Sequence, residues 1–323
     1  MTTPDAALFL ADLEAKPAAL ERLAASQDVR AALDRVPASV ERVVLLGMGS
    51  SRYAAEVAAL RLRARGIPAV AELASVRRGC PPARDLLAIA ISASGTSAET
   101  LAALEHHTGH SRTLAITNDP TSPLTALADD VLPLDAGLEV GGVACRSFQH
   151  TGLALRALED RITGAPARLA ELCARVADAS ADLLSRRESW LPPLSEALDG
   201  PDGVYVLAPA ERLSSAAQSA LMIREGPRRV ATGCETGDWC HVDVYPTKTL
   251  DYRALLLTGS PFDDAALDWL RRRDSTVVAV GANVGGTTAT VRYQGDEDAD
   301  VALHAETLVA ELLAAHWWSR PLR

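Results

Sequence analysis

One stretch, Ala88 to Thr100, constrains the fold of this chain more than any other. Its first residues alternate Ala and Ile, which predicts a buried strand, and a helical pattern begins at Ala98. A short loop that combines one glycine with several hydroxyl side chains joins the two: Ser92, Ser94, Gly95 and Ser97. The segment therefore predicts a strand, a small-residue loop and a helix.

This loop has two interpretations of about equal weight. Gly95 lets the backbone bend and lets a ligand approach closely. The first turn of the helix adds unpaired N–H groups at the positive end of its dipole, and together with the hydroxyls these suit a phosphate. Ser and Thr also cap helices without binding anything. The loop is neither a G-x-G-x-x-G nor a Walker sequence.

A second junction of the same kind lies upstream. Residues 42–49 read as a buried strand that ends in glycine; Ser50 and Ser51 follow, and then a helix over 53–65. Further strands are predicted over 69–73, 112–118 and 131–134, which alternate with helices and so indicate a parallel sheet. Ligands of such sheets bind beyond the carboxyl ends of the strands. We therefore expect the two serine-bearing junctions to lie close together.

The second half repeats this plan with weaker signals. A helix over 168–189 is expected to be closed by Pro192-Pro193. Strands are then predicted over 204–207, 254–259, 276–281 and 286–292, with helices over 212–225, 263–272 and 303–318. The turn after the first of these strands, Ala208-Pro209-Ala210-Glu211, carries no hydroxyl. Two sheets with one phosphate site are the expected arrangement.

The composition excludes several classes of protein. The 323 residues carry 32 Lys and Arg against 42 Asp and Glu, a net charge of −10 without a basic cluster, which argues against nucleic acid or an anionic membrane as a partner. The five cysteines are scattered and lack a C-x-x-C, so neither a disulfide framework nor a metal site is expected. No signal peptide and no apolar run of membrane-spanning length is found, and a cytoplasmic location is predicted.

The serine-rich loop resembles the S-x-S-G-x-T loop of the SIS (sugar isomerase) family, with Ser97 in place of Thr. Gly49-Ser50-Ser51 resembles the G-T-S turn of that family. The resemblance implies an α/β fold of two SIS-type subdomains, each a flavodoxin-like, doubly wound parallel sheet flanked by helices. The chain is predicted to contain N-terminal helices over 1–38, a first subdomain over 39–164 and a second over 165–323. The boundary is placed at Gly164-Ala165-Pro166, because Gly and Pro together interrupt the helical pattern there.

Further motifs extend the resemblance to substrate-binding positions. Residues 135–140 are similar to the A-G-x-E segment, which places Glu139 on its acidic residue. Residues 142–148 resemble V-A-[AS]-T-K-x-[FY], with Cys145 for Thr and Arg146 for Lys. The family resemblance thus implies that a sugar phosphate is bound by a set of small, acidic and basic residues: Ser50, Ser51, Ser92, Ser94, Gly95, Ser97, Glu139 and Arg146.

Two residues match the catalytic positions of the family. Residues 219–225 resemble the A-L-K-L-K-E segment, so Glu225 falls on its glutamate, and His241 falls on the histidine of the G-E-[LF]-x-H-G-P loop, sixteen residues later as in the family. The implied roles are a base that moves a proton between C1 and C2 for Glu225 and a ring-opening acid/base for His241. In the family, the two subunits of a homodimer share the active site, so a second copy of this chain is the partner expected here. No cofactor is expected.

Departures from the family leave the reaction open. Met222 stands where the synthases carry a lysine, Val242-Asp243 replace Gly-Pro, and neither the lysine-bearing C-terminal tail nor an amidotransferase domain is expected. The leading hypothesis is an isomerase, deaminase or deglycase of an amino- or amine-substituted hexose 6-phosphate. The alternatives are a non-catalytic sugar-phosphate sensor and a specialised isomerase with a rebuilt pocket.

Overall fold

The computed structural model describes residues 4–38 and 40–320. The chain divides into two compact units. The first-sheet unit comprises residues 18–138 and 144–174, and the second-sheet unit comprises the residues up to Pro17, the segment 139–143 and residues 175–323. The boundaries predicted from the sequence at 39 and 165 stay a prediction.

The first-sheet unit contains a five-stranded, wholly parallel sheet in the order β2-β1-β3-β4-β5. Its strands are β1 Arg42–Gly47, β2 Ala69–Leu73, β3 Leu86–Ile91, β4 Arg112–Thr117 and β5 Asp130–Pro133. All six residues of β3 are buried, as expected for a central parallel strand that is covered on both faces. This strand is the one that the Ala/Ile alternation predicted.

The second-sheet unit also contains a five-stranded parallel sheet, in the order β10-β9-β8-β6-β7. Its strands are β6 Val204–Ala208, β7 Ala231–Glu235, β8 Arg253–Leu257, β9 Thr276–Val280 and β10 Ala289–Val291. The prediction of two parallel sheets flanked by helices is confirmed.

The α-helices of the described residues precede the first strand, connect the strands and follow the last strand. In chain order they are α1 Ala6–Glu14, α2 Lys16–Ala25, α3 Gln27–Arg35, α4 Ser50–Ala64, α5 Ala98–Glu105, α6 Arg146–Thr163, α7 Leu169–Ser185, α8 Arg187–Leu198, α9 Leu213–Glu225, α10 Thr236–Trp239, α11 Asp263–Arg272, α12 Ala299–Ala305 and α13 Thr307–Trp318.

Two sequence predictions were wrong in detail. Pro192 and Pro193 lie inside α8 instead of ending the preceding helix. Both prolines are exposed. Because proline has no N–H, the carbonyls of Glu188 and Ser189 receive no helix hydrogen bond from them. Glu188 and Ser189 are exposed as well, so their carbonyls can bond to water instead. Edge strand β7 was missed, because its sequence Ala-Thr-Gly-Cys-Glu is short and lacks an apolar pattern.

Candidate functional site

The two serine-bearing junctions lie side by side in the first-sheet unit. Strands β1 and β3 are parallel neighbours, and their last residues, Gly47 and Ile91, are partners in register. The loop that leads from β1 to α4 and the loop that leads from β3 to α5 therefore leave the same edge of the sheet next to each other. The expectation that these junctions meet is confirmed.

Within the loop after β3, the hydroxyls take different positions. The buried Ser92 Oγ accepts the Gly95 N–H at 3.2 Å and so closes a tight turn. Ser94 is exposed, and its Oγ lies 2.9 Å from Thr96 Oγ1. Thr96 is thus a second solvent-facing hydroxyl in this loop. It was not among the binding residues that the family resemblance implied.

Ser97 is the N-cap of α5 in this structure. Its Oγ accepts from the backbone N–H and the hydroxyl of Thr100 and donates to the Glu99 carboxylate at 3.0 Å. The backbone N–H of Glu99 and this serine hydroxyl lower the pKa of Glu99. The capping interpretation therefore holds for Ser97, and a role for it in phosphate binding stays a prediction.

Two features require glycine at position 95: its backbone conformation and the lack of room for a side chain. Its φ is +61°, and a Cβ at this position would lie 1.9 Å from Ser122 Oγ, 2.4 Å from Ser122 Cβ and 3.1 Å from Thr117 Oγ1. The Ser122 hydroxyl is buried and has no hydrogen-bond partner among the described residues. The loop can therefore follow this path only because residue 95 has no side chain.

The junction after β1 presents an open helix N-terminus. Gly49, the N-cap of α4, has φ +52° and supplies no side-chain cap to the helix. Ser50 and Ser51 are the first two residues of α4, and both side chains are half-buried. The Ser51 N–H donates to the Met48 carbonyl at 3.1 Å. A helix that starts without a side-chain cap leaves its other first-turn N–H groups and its positive dipole end for water or an anion.

Arg146, also in the first-sheet unit, is buried at the start of α6. Its Nη2 donates to the carbonyl oxygen of Leu138, so this guanidinium holds the chain segment that precedes α6. This contact gives Arg146 a structural role, and its substrate contact stays a prediction.

The predicted base, Glu225, ends α9 in the second-sheet unit. Its side chain reaches solvent, yet the surrounding protein reduces hydration of the carboxylate and raises its pKa; the neighbouring Arg224 acts in the opposite direction. A raised pKa brings a carboxyl group nearer to neutral pH, where a general base works best.

His241 lies just beyond α10 in the same unit, and its side chain is exposed. The preceding turn is fixed at both ends: Glu235 caps α10 by accepting the Asp238 N–H at 2.7 Å, and the buried Trp239 donates its ring N–H to Tyr252 OH at 2.7 Å. Glu235 and Tyr252, which complete these two contacts, lie outside the family motif.

Asp243, one of the departures from the family loop, has a partner of its own. The Cys234 thiol donates to Asp243 Oδ2 at 3.4 Å, which ties the segment after His241 to the edge strand β7. Burial is the main cause that raises the pKa of Cys234, and the Asp243 charge adds to it, so this thiol stays protonated.

Glu139 lies in a segment that α1 holds within the second-sheet unit. The Asp12 carboxylate accepts the Gly141 N–H at 2.7 Å, and a Cβ on Gly141 would lie 2.5 Å from Phe9 Cα. Sequence reasoning missed the nearby ion pair of Lys16 and Glu311, both fully buried. Burial raises the pKa of Glu311, Lys16 opposes this, and the charge of Glu139 adds to the rise.

Two further observations concern the lysines of the family. Met222, which replaces one of them, is buried and accepts from Gln218 Nε2 at 3.6 Å, so it is a core residue here. Lys248, the remaining lysine downstream, is exposed, with its Nζ 5.3 Å from the centre of the Tyr245 ring.

Among the described residues, no group of three His, Cys, Asp or Glu side chains is arranged to hold a metal ion. A search of the same residues finds no helix with the length and apolar character needed to cross a bilayer.

Two parallel sheets and a hydroxyl-rich loop at a strand–helix junction define an α/β protein of the doubly wound type. Comparison with known proteins makes this specific: residues 38–159 match the SIS domain. This part of the chain is thus a SIS domain.

The chain also matches curated proteins over part of its length. It is 29% identical over 217 residues to a glutamine–fructose-6-phosphate aminotransferase (isomerizing) of Gloeobacter violaceus, a match that covers 63% of this chain and 36% of that relative. The chain thus spans well under half the length of the curated relatives that it matches.

Solved structures share the fold over nearly the whole chain. The C-terminal domain of a glucosamine-fructose-6-phosphate aminotransferase from Francisella tularensis superposes with a TM-score of 0.80 at 16% identity, covering 96% of both chains. A glucosamine-6-phosphate deaminase from Thermotoga maritima gives a TM-score of 0.72 at 18% identity, covering 96% of this chain and 94% of that one.

Proposed function

We propose that this protein is an enzyme that acts on an amino- or amine-substituted hexose 6-phosphate, as an isomerase, deaminase or deglycase. The observation that carries the proposal is the pair of adjacent junctions at one edge of the first sheet. They combine exposed hydroxyls, a glycine with positive φ and an uncapped helix start, and these are the features that bind a phosphate dianion.

The chemistry is proposed to follow the family pattern. Glu225 would accept the proton that moves between C1 and C2, and its raised pKa supports that role. His241 would move the proton that opens the sugar ring. A homodimer that shares the site, and a cytoplasmic location, belong to the same proposal.

Ser94→Ala tests the phosphate site. Ser94 is exposed and bonds only within its loop, so its replacement should leave the fold intact. Loss of one hydrogen bond to a charged group should weaken the binding of a hexose 6-phosphate by about 1.5–3 kcal/mol in calorimetry. Equal affinity of the wild type for a hexose phosphate and for its free sugar would contradict the proposal.

The sensor alternative is supported by one observation. The position of a family lysine is occupied by Met222, a buried residue that carries no charge. NMR detection of C1 or C2 proton exchange over a panel of hexose and aminohexose phosphates decides between the two. Tight binding without exchange of any substrate proton would favour the sensor.

A further inference from the structure

A cavity of about 680 Å³ lies in the first-sheet unit between α5 and the loop that follows β2. This volume falls in the range of pockets that bind small organic ligands. We name it the β2–α5 pocket: residues 72–82 form one wall, and residues on α5 and just after it form the other. Its lining contains neither serine-bearing loop, and Glu99 is the residue of the α5 first turn that reaches it.

The wall after β2 is held in shape by Glu72. Both oxygens of its carboxylate accept the backbone N–H of Cys80, at 3.0 and 3.1 Å. Gly79 leaves room for this contact, because a Cβ there would lie 2.4 Å from Glu72 Oε2. The Glu72 charge is therefore directed at the loop backbone, and the pocket is formed before any ligand enters.

Two adjacent arginines in this wall supply positive charge. Arg77 and Arg78 both line the pocket and are exposed, and among the described residues neither has a carboxylate oxygen within 4.0 Å. Arg42, close by in the same unit, shows the usual alternative, since its guanidinium pairs with Asp85 at 2.5 Å. Unpaired guanidinium groups in a cavity are suited to grip phosphate or carboxylate oxygens in pairs.

Apart from Ser75 and Glu99, the rest of the lining is mainly apolar or aromatic. Leu73 and Val76 are 42% and 48% exposed, and together they give the pocket an apolar surface that a ligand would cover. Across the pocket, the rings of His106 and His107 meet edge to face, with centroids 5.3 Å apart. His107 is buried, and its burial lowers its pKa, which favours the neutral ring.

We propose that the β2–α5 pocket binds a flat organic anion, whose phosphate or carboxylate group pairs with Arg77 and Arg78. The apolar ring of this ligand lies against Leu73 and Val76 and faces the two imidazoles. An inorganic ion would satisfy the arginines but leave most of the cavity and the exposed apolar side chains uncovered, and an uncharged ring would leave the arginines unpaired.

Isothermal titration of the full chain with four probes tests this ligand class. AMP and 2-naphthoate each combine a flat ring with an anionic group. Adenosine has the ring without the charge, and inorganic phosphate has the charge without the ring. We expect AMP or 2-naphthoate to bind more tightly than adenosine and phosphate do. The double variant Arg77→Gln/Arg78→Gln should weaken this binding by at least about tenfold, because charged hydrogen bonds are lost.

Two further variants serve as controls. Arg84→Gln removes an exposed arginine of the same loop that does not line the pocket, and it should bind like the wild type. Ala102→Phe places a ring in the pocket from the exposed face of α5 and should block the probes while the thermal midpoint stays unchanged.

The proposal is overturned if neither ring-bearing anion binds at millimolar concentration, if phosphate alone binds as well as AMP, or if the double variant binds like the wild type. It is independent of the sugar-phosphate site: Ser94→Ala and saturating glucose 6-phosphate should leave AMP binding unchanged. A protein that binds AMP here but no sugar phosphate would refute the proposed function alone.

Discussion

Gly95→Ala tests whether the serine-rich loop owes its path to the missing side chain. Two penalties are expected. The φ of +61° is a left-handed conformation that costs an L-residue about 1–2 kcal/mol. The new methyl group would also start 1.9 Å from Ser122 Oγ, and overpacking of this kind costs about 1–3 kcal/mol as neighbours move. The free energy of unfolding should therefore fall by about 2–5 kcal/mol.

Gly164→Ala is the matched control. Gly164 ends α6 with φ +66°, nearly the same backbone conformation, but among the described residues nothing beyond its chain neighbours and nearby helix backbone lies within 4 Å of the point where its new Cβ would stand. Only the backbone penalty of about 1–2 kcal/mol should appear there. The difference between the two variants in urea denaturation, followed by circular dichroism, measures the contact with Ser122.

A double-mutant cycle with Ser122→Gly completes the test. This second change removes both atoms that the Gly95→Ala methyl would approach most closely. In the Ser122→Gly background, Gly95→Ala should therefore cost only the backbone penalty, without the loss of stability that is due to overpacking. Gly95→Ala should also weaken hexose-phosphate binding, whereas Gly164→Ala should not. If Gly95→Ala is no less stable than Gly164→Ala, the loop has room for a side chain and the reasoning fails.

Three other predictions concern catalysis, the core and assembly. Glu225→Gln should keep sugar-phosphate binding and slow C1/C2 proton exchange by about a hundredfold or more, and unchanged exchange would exclude Glu225 as the base. The exchange rate of the wild type should fall on acidification, because protonation removes the base. Since the pKa of Glu225 is raised, this fall should occur at a higher pH than for an ordinary glutamate. Lys16→Met should cost about 3–5 kcal/mol by leaving Glu311 buried alone, and Lys16→Met/Glu311→Gln should recover much of it in thermal melts; full stability of the single variant would contradict this. Light scattering should give twice the 34.1 kDa chain mass, and a monomer would remove the basis for a shared site.

Local sequence patterns were enough to predict the parallel sheets and the place of the candidate site. Strands β1 and β3 are runs of apolar residues bounded by Gly and Ser, and such runs are buried whatever packs around them. The positive φ of Gly49 and Gly95 agrees with the presence of the one residue that adopts it without strain. Because parallel strands end at a common edge, the two loops were expected at that edge, and the observed pairing of β1 with β3 makes them neighbours.

The sequence by itself therefore determined the fold class and the loop chemistry, since both depend on residues within a few positions of each other. The tertiary structure alone decided which distant groups meet. Lys16 and Glu311 are 295 residues apart, and nothing in either neighbourhood predicts their pairing. Strand β7 forms because β6 offers it a hydrogen-bonding edge, and Glu72 folds the pocket wall through the backbone of Cys80. Such contacts depend on chain closure over long loops, which no local propensity encodes.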